Sequence, residues 1–170
     1  IGSRLDGFVA HVASFREIEV IDIRPLEKSS HQNIKFIQAD MMKPLKVSKT
    51  DSLSCLHAIE HFGLGRYNDP IDVDGHMKGI TNLVSMLEKN GILYISFPIG
   101  KKDEVHFNAH RVFHPKSILK NQIIKSKMQL VSFDYVDEMG DLHLNSNLDS
   151  VSRSIVFGCG IYTFKKLDSL

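Results

Sequence analysis

The sequence predicts an α/β fold in which helices cover both faces of a mostly parallel sheet. Three observations predict it. Short apolar runs of strand type alternate with longer stretches at helical spacing. Several of these runs are apolar on both faces, as buried parallel strands are. Two further strand-like runs close the chain, separated by a polar stretch.

The elements follow in order. Leu5 to Phe15 carries Phe8, Val9, Val12 and Phe15 at helical spacing. Glu19 to Ile23 (EVIDI), Ile34 to Ile37 (IKFI) and Ser52 to His57 (SLSCLH) read as strands. A longer helix is expected from Asp74 to Lys89, with Met77, Ile80, Leu83, Val84 and Leu87 on one face. Asn90-Gly91 then stops it in the left-handed manner. Gly91 to Phe97 (GILYISF) is the next strand, and Pro115 can open a helix running to about Lys127. Leu130 to Val136 and Ser154 to Phe164 form the closing pair. The link between them is long for a hairpin and reads as a mobile loop or flap.

Composition narrows the function classes. The 170 residues, 42% hydrophobic and 24% charged, suit one domain over 1–170 with a proper core. Basic and acidic side chains nearly cancel, 21 against 20, so nucleic acid and anionic membranes are not expected partners. The longest apolar runs fall far short of the ~20 residues of a membrane span. Cys55 and Cys159 both sit in apolar runs and read as reduced, buried thiols. No signal peptide is visible, and a cytoplasmic location is the expectation.

In an open parallel sheet the ligand sits beyond the carboxyl ends of the strands. Gly2 and Gly7 flank the approach to the first helix, where glycine lets backbone come close to a ligand and the helix start offers free N–H groups. Asp22 follows about 20 residues later at a strand end, where a carboxylate can accept from both ribose hydroxyls. Asp40 ends the next strand, where a carboxylate can accept from an adenine amino group.

The succession IGSRLDGF, EVIDIRPL, NIKFIQADMM, DSLSCLHAIEHFGLGRY and GILYISFP resembles class I S-adenosylmethionine-dependent methyltransferases. HAIEHFGLGRYNDPIDVDGH and VHFNAHRVFHP resemble the signature of the domain-of-unknown-function family 268, whose members look like such enzymes. The resemblance implies a Rossmann-like sheet of order 3-2-1-4-5-7-6 with its last strand antiparallel. It also implies that the first strand is missing here, so that the chain is a fragment. S-adenosyl-L-methionine is the implied cofactor. Gly2, Ser3, Arg4, Asp6 and Gly7 would hold its methionine part, Asp22 and Ile23 the ribose, and Asp40 and Met41 the adenine. His57 and Ala58 would border it. The reaction expected is methyl transfer to an oxygen of a small molecule or glycan. A catalytically silent binding domain of the same fold is the alternative, and a nicotinamide oxidoreductase comes third.

Nine histidines are the compositional excess. His57, Glu60 and His61 form HxxEH, which in zinc peptidases needs a continuous helix, whereas here His57 ends a strand. Some methyltransferases carry ExxEH at this point and hold a divalent metal, which makes His57, Glu60, His61 and His110 (or His106) a possible ligand set. Without metal, His61, Glu60, His106 and His110 are the candidate bases for the acceptor proton. Arg66, Tyr67, His106, Asn108 and Arg111 are expected substrate contacts. His76 reads as a surface residue at a helix start.

Overall fold

The computed structural model describes residues 1–3, 6–26 and 29–168. Helix α1 (Gly7–Ala13) leads into two parallel strands, β1 (Ile18–Asp22) and β2 (Ile34–Gln38). A second sheet starts with β3 (Thr50–Leu56), followed by a 3-10 turn (Ile59–His61), helix α2 (Gly75–Ser85) and the long strand β4 (Leu87–Gly100). A short hairpin of β5 (Glu104–Val105) and β6 (Arg111–Val112) stands above the end of β4. Helix α3 (Gln122–Lys127), β7 (Met128–Val136), β8 (Leu142–His143), α4 (Leu148–Ser154) and β9 (Phe157–Lys166) complete the chain.

The larger sheet has the order β3-β4-β9-β7-β8, parallel between β3 and β4 and antiparallel beyond. Ile1 and Gly2 run between the two sheets. The Ile1 amino group donates to the Ser54 carbonyl (2.7 Å), and the Gly2 N–H donates to the Ile21 carbonyl (2.8 Å). The order is β2-β1 in one sheet and β3-β4-β9-β7-β8 in the other. This follows the expected 3-2-1-4-5-7-6 with no strand at position 1 among the described residues, where Ile1 and Gly2 run, and with β8 added at the far edge.

The core lies on both faces of β4 and β9. Leu93, Ile95, Ile99, Tyr162 and Phe164 are fully buried. Burial of each such side chain contributes about 1.5–3 kcal/mol. Phe97 stacks on Tyr162 at 5.0 Å, and the Tyr162 hydroxyl donates to the Pro115 carbonyl (2.7 Å), so the one polar atom in this layer is satisfied.

Several expectations are corrected. Helix α2 stops at Ser85 rather than Lys89, and Leu87 already belongs to the strand. Lys166 reaches from β9 to cap the end of α2, its Nζ donating to the Val84 (2.8 Å) and Leu87 (2.7 Å) carbonyls. Asn90 does adopt the left-handed conformation (φ +61), but inside a bulge where β4 gains residues between its pairings with Thr50 and Ser52. Pro115 does not open a helix. Asn121 caps α3 instead, its Oδ1 accepting from Ile123 N (2.9 Å). The link expected to be a mobile loop or flap carries secondary structure: Leu142–His143 pairs with β7, and Asn147 caps α4. No helix among the described residues is long and apolar enough to cross a membrane.

Candidate active site

A cleft opens at the carboxyl ends of β1, β2 and β3. Gly2, Asp22, Ile23, Asp40, Met41, His57 and Ala58, seven of the expected cofactor residues, line it. Gly2 has φ +67, and a Cβ there would stand 2.4 Å from the Ala58 Cβ, so backbone forms this wall because only glycine fits. Ser3, Asp6 and Gly7 stand outside the lining. The Asp6 side chain accepts from Ser3 Oγ and Val9 N, each at 3.0 Å, and so caps α1. Gly7 is the first residue of that helix. Arg4 and Leu5 lie outside the described residues.

Asp22 is buried (2% exposed) and already partnered. Its carboxylate accepts from Arg24 three times: the backbone N–H (2.8 Å), Nε (2.9 Å) and Nη2 (2.5 Å). The guanidinium lies over the Tyr67 ring, 4.7 Å from its centre. Its hydrogen bonds to Asp22 raise it above the usual arginine range. Asp40 Oδ1 accepts from Met42 N (2.9 Å), and Lys43 Nζ stands 3.8 Å from Oδ2.

The histidine side of the cleft is built on a tight corner. His57 follows β3 with φ +51, which ends the strand and turns the chain into the 3-10 turn. Continuous helix is thus excluded over His57 to His61, as the HxxEH reading required. His57 Nδ1 is 3.3 Å from Glu60 Oε1, and His61 Nε2 is 3.9 Å from the same oxygen. Glu60 is 2% exposed, and its Oε2 has no partner. The His61 ring packs edge-on to Tyr67 (5.3 Å) and to His110 (6.1 Å), with its Nδ1 buried and unpartnered. Burial lowers the His61 pKa below its ordinary 6.5, outweighing Glu60. His110 Nε2 is likewise buried without a partner. His106 lies beside His110, ring centres 5.7 Å apart, and bonds Glu104 (2.9 Å).

The possible metal ligand set is corrected. Among the described residues no three His, Cys, Asp or Glu side chains converge on one point as a metal ion requires. His57 points its two nitrogens at Glu60 and Cys159, and His110 stands perpendicular to His61. The donors face one another rather than a shared centre.

Of the expected substrate contacts, Tyr67 alone lines the cleft. Arg66 Nη1 donates to the Asn108 (2.5 Å) and Ala109 (3.3 Å) carbonyls and ties down the tip of the β5–β6 hairpin, where Asn108 has φ +52. Arg111 is buried and donates to the Phe62 (2.6 Å), Val73 (3.4 Å) and Glu60 (3.5 Å) carbonyls. It is a strut between loops. His76 is half-buried against Phe113 (5.6 Å) rather than on the surface.

Sequence reasoning did not foresee two pairings. Arg24 occupies the Asp22 carboxylate, and only its nearness in sequence hinted at this. Cys159 meets His57 from 102 residues away, so no local pattern could reveal it.

Comparison with solved structures places the fold. N-methyltransferase NodS from Bradyrhizobium japonicum WM9, bound to S-adenosyl-L-homocysteine, has a TM-score of 0.62 at 15% identity over 95% of this chain and 73% of its own. Burkholderia thailandensis 1,6-didemethyltoxoflavin-N1-methyltransferase, with bound 1,6-didemethyltoxoflavin and S-adenosylhomocysteine, gives 0.70 at 10% identity over 98% and 69%. The [4+2]-cyclase SpnF gives 0.62 at 11% identity over 95% and 71%. The chain has the class I methyltransferase fold. No protein of curated function matches it. The family described as "Caenorhabditis protein of unknown function, DUF268" matches residues 12–153, and the chain belongs to that family.

Proposed function

We propose that the chain is an S-adenosylmethionine-dependent methyltransferase that acts on an oxygen of a small molecule or glycan. One observation carries the reading. Two carboxylates at successive strand ends, Asp22 and Asp40, share a cleft with the Gly2 backbone and with His61, whose Nδ1 is buried and unpartnered.

The cleft suits the cofactor. Gly2 leaves room that a side chain would fill, Asp22 would accept from the ribose hydroxyls, and Asp40 Oδ2 would face the adenine edge. Bound there, the sulfonium supplies an activated methyl group. His61, kept neutral by burial, accepts the acceptor hydroxyl's proton at Nδ1. Tyr67 walls the same side and orients the acceptor. The absence of a strongly basic balance supports a small or glycan acceptor.

A second reading, a binding domain without turnover, draws on the Arg24–Asp22 pair, which occupies the oxygens that ribose would need. Calorimetric titration of S-adenosylmethionine and S-adenosylhomocysteine tests the first reading. Micromolar binding of both, lost in Asp22→Ala, is expected. Absence of binding by the intact chain refutes it.

A further inference from the structure

Cys159 and His57 are distant in sequence and meet beside the cleft. His57 Nε2 lies 3.0 Å from Cys159 Sγ, and His57 Nδ1 lies 3.3 Å from Glu60 Oε1. The three side chains form a line of thiol, imidazole and buried carboxylate, the arrangement by which a nucleophile is paired with a base that a third group orients.

Two further observations point to a built site. Glu60 Oε2 is buried with no partner, so the carboxylate keeps acceptor capacity unspent beside the imidazole. His57 holds a left-handed backbone (φ +51), and its ring stands between Cys159 and Glu60. The two cysteines also differ. Cys55 is fully buried, and that burial pushes its thiol up to about 12. Cys159 is a free, half-buried thiol, and His57 beside it is half-exposed and borders the cleft.

His57 is held on its protonated side. Its hydrogen bonds to Cys159 and Glu60 raise it to about 10, against the opposing effect of burial. The titratable groups facing Cys159 are His57, with Glu60 behind it, and Tyr162 along β9, whose hydroxyl burial pushes up.

We propose that Cys159 is a nucleophilic thiol, prepared by His57 and positioned through it by Glu60, that captures carbon electrophiles at this end of the cleft. The sulfur electron pair forms the S–C bond, the bond from that carbon to its leaving group breaks with its electrons, and the thiol proton stays on His57 Nε2. The step needs neither the methyl donor nor an oxidant. It therefore stands or falls separately from the methyltransferase reading.

The test is alkylation by iodoacetamide at pH 7, followed by mass spectrometry of the peptide that carries Cys159. The intact native chain is compared with the same chain unfolded in urea. An ordinary thiol is only a few per cent thiolate at neutral pH, so a thiol paired with a base at 3.0 Å has room to react several-fold faster. Native Cys159 is expected to react at least fivefold faster than unfolded Cys159, although it is half-buried. Asn at position 57 tolerates the left-handed backbone, so His57→Asn is expected to bring the native rate down to the unfolded rate or below. Glu60→Gln, which keeps the side chain's shape, is expected to slow it at least twofold. A native rate less than fivefold above the unfolded one overturns the proposal.

Discussion

Replacing Arg111 with Met separates the two roles open to this residue. The sequence places Arg111 among substrate contacts, whereas the structure buries it (6% exposed) and points it at three backbone carbonyls. Hydrogen bonds from a charged donor contribute about 1.5–3 kcal/mol each. The bond to Phe62 at 2.6 Å counts in full, while those to Val73 at 3.4 Å and Glu60 at 3.5 Å are at the edge of range and count together as one. Burial lowers the guanidinium pKa despite Asp69, Asp72 and Asp74, so part of the gain goes to desolvation. The net loss on removal is about 3 kcal/mol. For a domain of this size that corresponds to a fall in melting temperature of about 6–12 °C. Thermal unfolding followed by circular dichroism measures it. Arg111→Lys, which keeps the charge but loses the planar fork, is expected to fall between. A Met variant that melts within about 2 °C of the wild type refutes the strut and returns Arg111 to substrate binding.

Other perturbations have equally definite expectations. Gly79 on α2 faces Phe62, and an added Cβ would stand 2.5 Å from its Cδ2 and 2.9 Å from the Ile59 Cδ1. Gly79→Ala is therefore expected to lose about 1–3 kcal/mol in urea unfolding, despite alanine's better helix propensity; a gain would show that the contact relaxes freely. His57 has a folded pKa of about 10, above its ordinary 6.5, so its stabilising contribution is complete below about 6.5 and is lost as pH rises toward 10. The urea midpoint of the wild type should fall more between pH 7 and pH 10 than that of His57→Asn, and equal slopes would contradict this. His61→Asn should abolish turnover without altering cofactor affinity. In the wild type, the acid limb of turnover should lie below pH 6.5, because burial lowers His61; an acid limb above 6.5 would remove His61 as the base.

The strands were legible because each carries its own local pattern. EVIDI, SLSCLH and GILYISF all become strands within a few residues of the expected bounds. Boundaries failed where a distant residue decides them. Lys166, some 80 residues away, caps the end of α2, so the helix stops before its apolar spacing does. Asn90-Gly91 carries a true left-handed signal, but the same conformation serves a strand bulge as well as a helix end. The cleft lining was legible because strand ends converge by topology, which brings Asp22, Asp40 and Ala58 together. Asp6 satisfied the glycine-turn pattern for another reason, as a helix cap. Arg24 on Asp22, Arg111 beneath the loops and Cys159 on His57 depend on side-chain directions that no spacing encodes.

The most direct measurement is a crystal structure of the chain with S-adenosylhomocysteine. The expected binding mode places the ribose hydroxyls on the Asp22 carboxylate, the adenine beside Asp40 and Met41, and Arg24 turned away from Asp22. A ligand bound elsewhere, or ribose absent from Asp22 while Arg24 keeps its hydrogen bonds there, would contradict it.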